Sequence, residues 1–232
     1  MKNYLFILLI CLGCASKKEI VVPKFESKIV SNEKLSCRAI FVDTDKVWLG
    51  MDKGRYGFYD KKKDTLVVKT IQSVSNTTEF RSIAATKDAI FILAVGNPAK
   101  LIKIDKKSLQ ETIVYQEENE KVFYDSMQFV DNLNGFAMGD PTEDCLSFIK
   151  TADGGNSWEK VSCANFPKVS EGEAAFATSN TNLIVKGKSI FMVSGGKKSR
   201  VFVSHDFGTS WQVYETPIVQ GEEMTGIFTA DF

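Results

Sequence analysis

The stretch Thr151-Ala152-Asp153-Gly154-Gly155-Asn156-Ser157-Trp158 recurs as Ser204-His205-Asp206-Phe207-Gly208-Thr209-Ser210-Trp211. Both copies read Ser/Thr-x-Asp-x-Gly-x-Ser-Trp. A short carboxylate at Asp153 or Asp206 accepts hydrogen bonds from the backbone N–H groups that follow it. Gly155 and Gly208 permit a positive φ at the tight point. Trp158 and Trp211 open the next strand and pack beneath the hairpin. The spacing predicts two tight turns between β-strands. The aspartates are read as turn staples on the rim rather than as catalytic or calcium-binding groups.

Outward from these turns, four segments share one layout: a first strand, a polar turn, a second strand with an aromatic residue, and an outer hairpin. The first strands are Cys37–Val42, Phe80–Ala84, Tyr124–Phe129 and Glu173–Ala177, and a fifth begins at Thr225–Phe228. The aromatics Trp48, Phe91, Phe136 and Phe191 fall at matching places in the second strands, about 43, 45 and 55 residues apart, the length of a four-stranded propeller blade. The strands are rich in Val, Ile and Phe and bounded by Asp, Asn, Gly and Lys turns, and no long stretch keeps a helical apolar period. Segments 3 and 4 end in the octapeptide turns. Segments 1 and 2 carry Tyr59-Asp60-Lys61-Lys62-Lys63 and Ile104-Asp105-Lys106-Lys107-Ser108, eroded versions with Lys where Gly belongs.

The fold class is therefore all-β: a β-propeller of four-stranded antiparallel blades, with four blades and the start of a fifth. An open apolar strand edge invites aggregation, which closed rings avoid. The chain is thus expected to be a C-terminally truncated six- to eight-bladed ring, with Ile20–Phe25 completing the last blade. The alternative is a short protein with an open or four-bladed arrangement.

The N-terminus reads as a targeting segment. Lys2 supplies a positive n-region, and Tyr4–Leu12 is an apolar run too short to span a bilayer but suited to a signal peptide. Cys11-Leu12-Gly13-Cys14 resembles a bacterial lipobox, departing from it where Cys11 replaces the usual Leu. Residues 1–14 are expected to be a lipoprotein signal ending at a lipidated Cys14, residues 15–35 a tether, and residues 36–232 the propeller. The resemblance implies a lipid anchor in the bacterial envelope, at the outer membrane because no acidic residue directly follows Cys14. A plain secretory signal is the alternative.

The 232 residues are 44% hydrophobic and 25% charged with zero formal net charge, an ordinary globular balance that gives no argument for nucleic acid. Only four of the 29 basic residues are arginines, so few bidentate anion clamps are available.

The octapeptides resemble the Asp-box of BNR-type propellers. Taken with Arg38-Ala39-Ile40, Arg81-Ser82-Ile83, Gly135–Pro141, Gly172–Ala177, Ser194-Gly195-Gly196, Arg200-Val201-Phe202, Glu215-Thr216-Pro217 and Gly226-Ile227-Phe228, the chain resembles the bacterial YVTN/BNR-like propeller lipoproteins related to photosystem II stability/assembly factors. The resemblance covers residues 36–232. It implies a partner-holding role without chemistry. Family members also carry oxidoreductase or glycosyl hydrolase labels, but no cofactor motif is present here, and no cofactor is expected.

First strands line a propeller's channel, and their matching residues are Arg38, Arg81, Asp125, Glu173 and Thr225. Four charges are thus expected around one mouth, joined by Asp140 and Glu171. They form either a ligand or partner site or a set of ion pairs holding blades together. The leading functional expectation is a non-catalytic scaffold for an envelope protein or glycan. One alternative is a sialidase-like glycoside hydrolase using Asp125 and Glu173, although a third channel arginine is missing. A purely structural envelope protein is the other. No His/Cys cluster has metal-ligand spacing, and His205 is expected to face solvent.

Cys145 and Cys163 lie symmetrically about Gly154, so they are placed to face each other across the hairpin. An oxidising compartment allows a disulfide there. Cys37 is expected to be a buried apolar filler.

Overall fold

The computed structural model describes residues 24–176 and 180–231. Four four-stranded antiparallel sheets follow one another along the chain. The first contains β1 (Cys37–Val42), β2 (Lys46–Met51), β3 (Arg55–Asp60) and β4 (Thr65–Thr70). The second contains β5 (Phe80–Ala85), β6 (Ala89–Ala94), β7 (Ala99–Asp105) and β8 (Glu111–Glu117). The third contains β9 (Tyr124–Phe129), β10 (Gly135–Gly139), β11 (Ser147–Thr151) and β12 (Glu159–Lys160). A two-residue strand, β13 (Glu173–Ala174), then precedes β14 (Leu183–Lys186), β15 (Ser189–Val193), β16 (Gly195–Gly196), β17 (Arg200–Ser204) and β18 (Gln212–Glu215). The fourth sheet runs β14-β15-β17-β18, while β13 pairs with β16. The helix among the described residues is a single 3-10 turn at Cys163–Asn165.

Apolar packing between successive sheets makes these sheets blades. Side chains alternate across a strand, so a central strand covered on both faces is apolar throughout. In β6, Ile90 and Ile92 enter a cluster with Trp48, Tyr56 and Phe58 of the first blade. Phe91 and Leu93 enter another with Met127, Ala137 and Ile149 of the third. Phe136, Met138 and Phe148 then meet Leu183, Ile190, Met192 and Phe202 of the fourth. The repeated aromatic at Trp48, Phe91 and Phe136 thus always faces the following blade, with burial worth about 1.5–3 kcal/mol each. Polar ties join the blades as well: Lys106 to Asp43 at 2.7 Å, Lys103 to Asn156 at 2.7 Å, and Lys160 to Glu117. Among the described residues the blades form an arc that does not close into a ring.

The turn from third to fourth strand uses one device in every blade. Asp60 accepts from the N–H groups of Lys62 and Lys63, both at 3.0 Å, and Asp105 from Lys107 at 3.0 Å and Ser108 at 2.7 Å. Asp153 accepts from Asn156 at 2.9 Å and Ser157 at 3.1 Å. Asp206 accepts from Thr209 at 3.1 Å and Ser210 at 2.8 Å. Thr151 and Ser204 hydroxyls accept from Gly155 and Gly208 and donate to Asp153 and Asp206. In the two lysine-rich turns the positive φ falls on Asp64 and Leu109 instead of glycine.

Three expectations change. The first strand of the fourth blade is β14, not Glu173–Ala177: Glu173 and Ala174 pair with Gly196 and Gly195, and residue 177 lies outside the described residues. The extra chain before β14 accounts for the long last aromatic interval. No fifth strand forms at Thr225–Phe228, where Gly226 makes a single bridge to Gly195. Cys37 is exposed, because no sheet covers that face of β1 among the described residues.

The signal segment, Cys14 and Ile20 to Pro23 lie outside the described residues. Residues 24–36 contain no strand, and Phe25 is 85% exposed, so the described end of Ile20–Phe25 completes no blade.

A disulfide joins Cys145 and Cys163, with Cα atoms 5.5 Å apart. The β11–β12 ladder spans only Ile149↔Lys160 and Lys150↔Glu159, so the bond closes the base of the hairpin beyond its last pair.

Candidate functional site

Arg38, Arg81 and Asp125 occupy the same place in three successive blades. In each first strand the register slips by one residue: between Cys37 and Ala39, between Phe80 and Ser82, and opposite Met138/Gly139 where Tyr124 and Ser126 are paired. The unpaired residue of each β-bulge is the charged one, and a bulge re-aims its side chain. In the fourth blade Val193 donates to the Asn182 carbonyl, which puts Thr181, not Glu173, at the matching position. Glu173 stands in the connection leading to that blade.

The five channel residues have separate fates. Arg38 is exposed and forms no ion pair among the described residues. Arg81 donates through Nε and Nη2 to Glu79 at 3.1 and 2.8 Å and lies 5.7 Å from the centre of the Phe123 ring. Asp125 is 0% exposed, and neither carboxylate oxygen has a hydrogen-bond partner. Burial first, then the neighbouring Asp140 charge, push its pKa far above the usual range, and Arg81 only partly opposes them. Glu173 is also buried, but satisfied: it accepts from Arg200 Nε at 2.9 Å and from Arg200 Nη2, from Ser194 Oγ at 2.6 Å and from the Ser170 N–H at 2.9 Å. Thr225 is half-buried and donates to the Glu222 and Gly196 carbonyls at 2.8 and 3.1 Å.

Asp140 follows the last residue of β10. Its N–H is tied to the Phe123 carbonyl at 2.7 Å and its carboxylate accepts from the Ala175 N–H at 2.8 Å. Burial raises its pKa to about 6 against the lowering effect of that hydrogen bond. Asp140, Glu143, Glu171, Glu173 and Lys121 border a cleft of about 540 Å³. On the neighbouring blade, Glu79, Arg81, Val95, Asn97 and Lys100 border a second cleft of about 410 Å³. Both open at the same end of the sheets, the end of Asp140.

The octapeptide turns are at the opposite end. Thr151 pairs with Gly135 and Ser147 with Gly139, so Asp153 and Asp140 cap opposite ends of β10 and β11, roughly 15 Å apart at strand rise. Each turn also docks on the preceding aromatic layer. Trp158 packs against Phe91 and Phe129, and Trp211 against Phe148 and Phe166. His205 is exposed and shares a hydrogen bond with Ser189 at 2.8 Å. Among the described residues no group of three or more His, Cys, Asp or Glu side chains is placed to hold a metal ion.

Two side chains missed by sequence reasoning organise this region. Arg200 is the counter-ion of Glu173. Asn180 links the first strands of blades 2 and 3, donating to the Ile83 and Met127 carbonyls at 2.8 and 3.3 Å and accepting from the Met127 N–H at 3.1 Å. The one available signal was the surplus length between Phe136 and Phe191. Asp125 and Glu173 offer no glycosidase pair in this arrangement. One is cut off from any substrate, and both oxygens of the other are already engaged.

No family model matches the chain, and no curated protein matches it. Solved structures do. "Structure of U3-55K" superposes with TM-score 0.61 at 12% identity, over 81% of this chain and 54% of that one. "Crystal structure of RRP9 WD40 repeats" gives 0.59 at 11% identity, over 81% and 53%. "YCF48 bound to D1 peptide" gives 0.53 at 12% identity, over 79% and 54%. The fold is that of a β-propeller. The chain spans about half the length of these structures.

Proposed function

We propose that the chain is a non-catalytic β-propeller scaffold that holds a protein partner at the mouth bearing Arg38, Arg81 and Asp140. One observation carries this reading. Arg81 on a first-strand bulge and Asp140 at a strand end, from consecutive blades, each border a cleft at one end, while the aspartates of the rim turns at the other end spend their carboxylates on their own turn hydrogen bonds. Asp153 and Asp206 are then Asp-boxes, and the chain belongs with YVTN/BNR-like propellers. The neighbour solved with a D1 peptide supports a β-propeller as a peptide holder, although that peptide is said of that protein alone. The reading places the protein in a bacterial envelope, held through a lipid on Cys14.

The test compares capture of envelope proteins by the wild type with capture by Arg38→Glu/Arg81→Glu. Loss of a specific partner supports the mouth as the site, and equal capture removes it. A panel of fluorogenic glycosides checks the absence of catalysis, and turnover by the purified protein would reject this reading.

A further inference from the structure

The arc ends in two uncovered sheet faces. On blade 1, Ala39, Trp48, Tyr56 and Phe58 face blade 2. Alternation puts their strand neighbours on the other side. Strand pairing sets these in two rows across all four strands. One row is Ile40, Leu49, Gly57 and Val68, and the next is Val42, Val47, Tyr59 and Leu66. The Tyr59 hydroxyl aside, both rows are apolar, yet none of their side chains is buried, and Ile40 is 60% and Val42 67% exposed. Blade 4 has the other loose end. Leu183, Ile190, Met192 and Phe202 face blade 3. Ile184, Val201 and Tyr214 lie on the far side, with Phe191 among them against the His205 ring. No sheet covers either face among the described residues. A contiguous apolar patch of several hundred Å² is the mark of an interface.

The rest of the molecule indicates what covers them. At each of the three internal junctions the far face of one blade packs on the near face of the next. The two end faces are therefore of complementary kinds, and one chain carries both. The arc also superposes on only about half of each solved propeller, 53–54% of its length, so a second arc of the same size supplies the other half. Area decides between one junction and two. Four strands about 4.8 Å apart and about 20 Å long make a face of roughly 400 Å². A single junction would bury about 800 Å², no more than a lattice contact, whereas two junctions bury about 1,600 Å², the size of a stable interface.

We propose that two copies of this chain close into one ring, blade 4 of each resting on blade 1 of the other. A twofold axis along the channel relates the two junctions, so both end faces are used and neither copy keeps an open edge. Arg38, exposed on β1, then stands at a junction, where blade 4 of the second copy supplies the wall that blade 1 lacks. The proposal goes beyond the scaffold reading, and either can fail without the other.

The first experiment is sedimentation equilibrium of the full chain at micromolar concentration in density-matched detergent. Wild type is expected at the mass of two chains. Ile40→Glu/Val42→Glu places charges on a face that is already exposed, so the fold should persist while the mass falls twofold, to one chain. Leu133→Glu, equally exposed but in the β9–β10 turn, should leave the pair intact. Wild type found as a single chain overturns the proposal and leaves the faces to further blades of a longer chain. Masses above two chains also overturn it, since they mean an open head-to-tail assembly, and so does a folded Ile40→Glu/Val42→Glu that stays paired. Cross-linking gives a second reading that needs no disruptive variant. Chains carrying Ile40→Cys and chains carrying Ile184→Cys, each with Cys37→Ser, are co-expressed and treated with a short bis-maleimide. Links between positions 40 and 184 of different chains are expected. Links that join 40 only to 40, or no link between chains, overturn the proposal.

Discussion

Arg200 grips Glu173 with Nε and Nη2 across 27 residues of sequence, and the Glu173 side chain is sealed from water. The pair ties the third strand of blade 4 to the connection that brings the chain from blade 3. Ser194 and the Ser170 N–H complete the carboxylate's coordination.

Removing one partner strands the other's charge. Arg200→Met is expected to cost about 3–5 kcal/mol, because it leaves a buried carboxylate without its counter-ion. Arg200→Met/Glu173→Gln should recover most of that loss. Urea unfolding of the two variants decides it. A single-variant loss below about 1 kcal/mol would show that water replaces the guanidinium freely.

The two octapeptide turns are not equally tolerant. Gly155 has φ +73°, and a Cβ there would come within 2.3 Å of the Phe91 ring. Gly208 has φ +78°, with Phe148 at 3.0 Å. Gly155→Ala should therefore cost more than about 2 kcal/mol and Gly208→Ala about 1 kcal/mol, the difference being the clash with a packed inter-blade ring. Thermal melts of both variants measure the order, and equal shifts would mean that backbone strain alone matters.

Reduction should loosen one hairpin. The Cys145–Cys163 disulfide closes an 18-residue separation around the first octapeptide turn. Cross-links over loops of that size contribute about 3 kcal/mol, chiefly by restricting the unfolded chain. Cys145→Ser/Cys163→Ser is expected to lower stability by about 2–4 kcal/mol in denaturant titrations. Wild type in dithiothreitol should match it, and a gap between the two would point to a packing effect of the serines.

Stability should peak near pH 4. Asp140 is raised from 3.8 to about 6, so the folded state holds a proton that the unfolded chain has released. Its contribution is complete below about pH 4 and is lost as pH rises through 6, amounting to up to about 3 kcal/mol. Asp125 acts in the same direction. Asp206 is lowered to about 2 by hydrogen bonds from Ser210 and Ser204. Asp153 also lies near 2, because hydrogen bonds from Ser157, Thr151 and Asn156 outweigh its burial. Their contribution is present above about pH 4 and is lost as pH falls through 2. Asp140→Asn should flatten the decline between pH 4 and 6. An unchanged slope in that variant would assign the decline to other groups.

The fold was legible because its signals are local. An Asp accepting from the next backbone N–H groups, a glycine at positive φ and an aromatic on every second strand are all set within a few residues, and their recurrence counts the blades. The Cys145–Cys163 spacing was legible for the same reason, since the two flank one hairpin. The charged site was legible only in part. Arg38, Arg81 and Asp125 share a bulge that their regular spacing reflects. Glu173 looked like the next member because its interval was similar, yet the ladder gives that place to Thr181.

Sequence alone thus determined the all-β class, the blade length, the rim turns and the alternation that makes β6 apolar on both faces. Each of these depends on neighbours in the chain. Tertiary structure alone decided which charges meet. It paired Glu173 with Arg200, set Asn180 between two first strands, and left Asp125 buried beside Asp140. Such contacts join residues that no period relates, and their energies depend on burial and on the partner supplied by another blade.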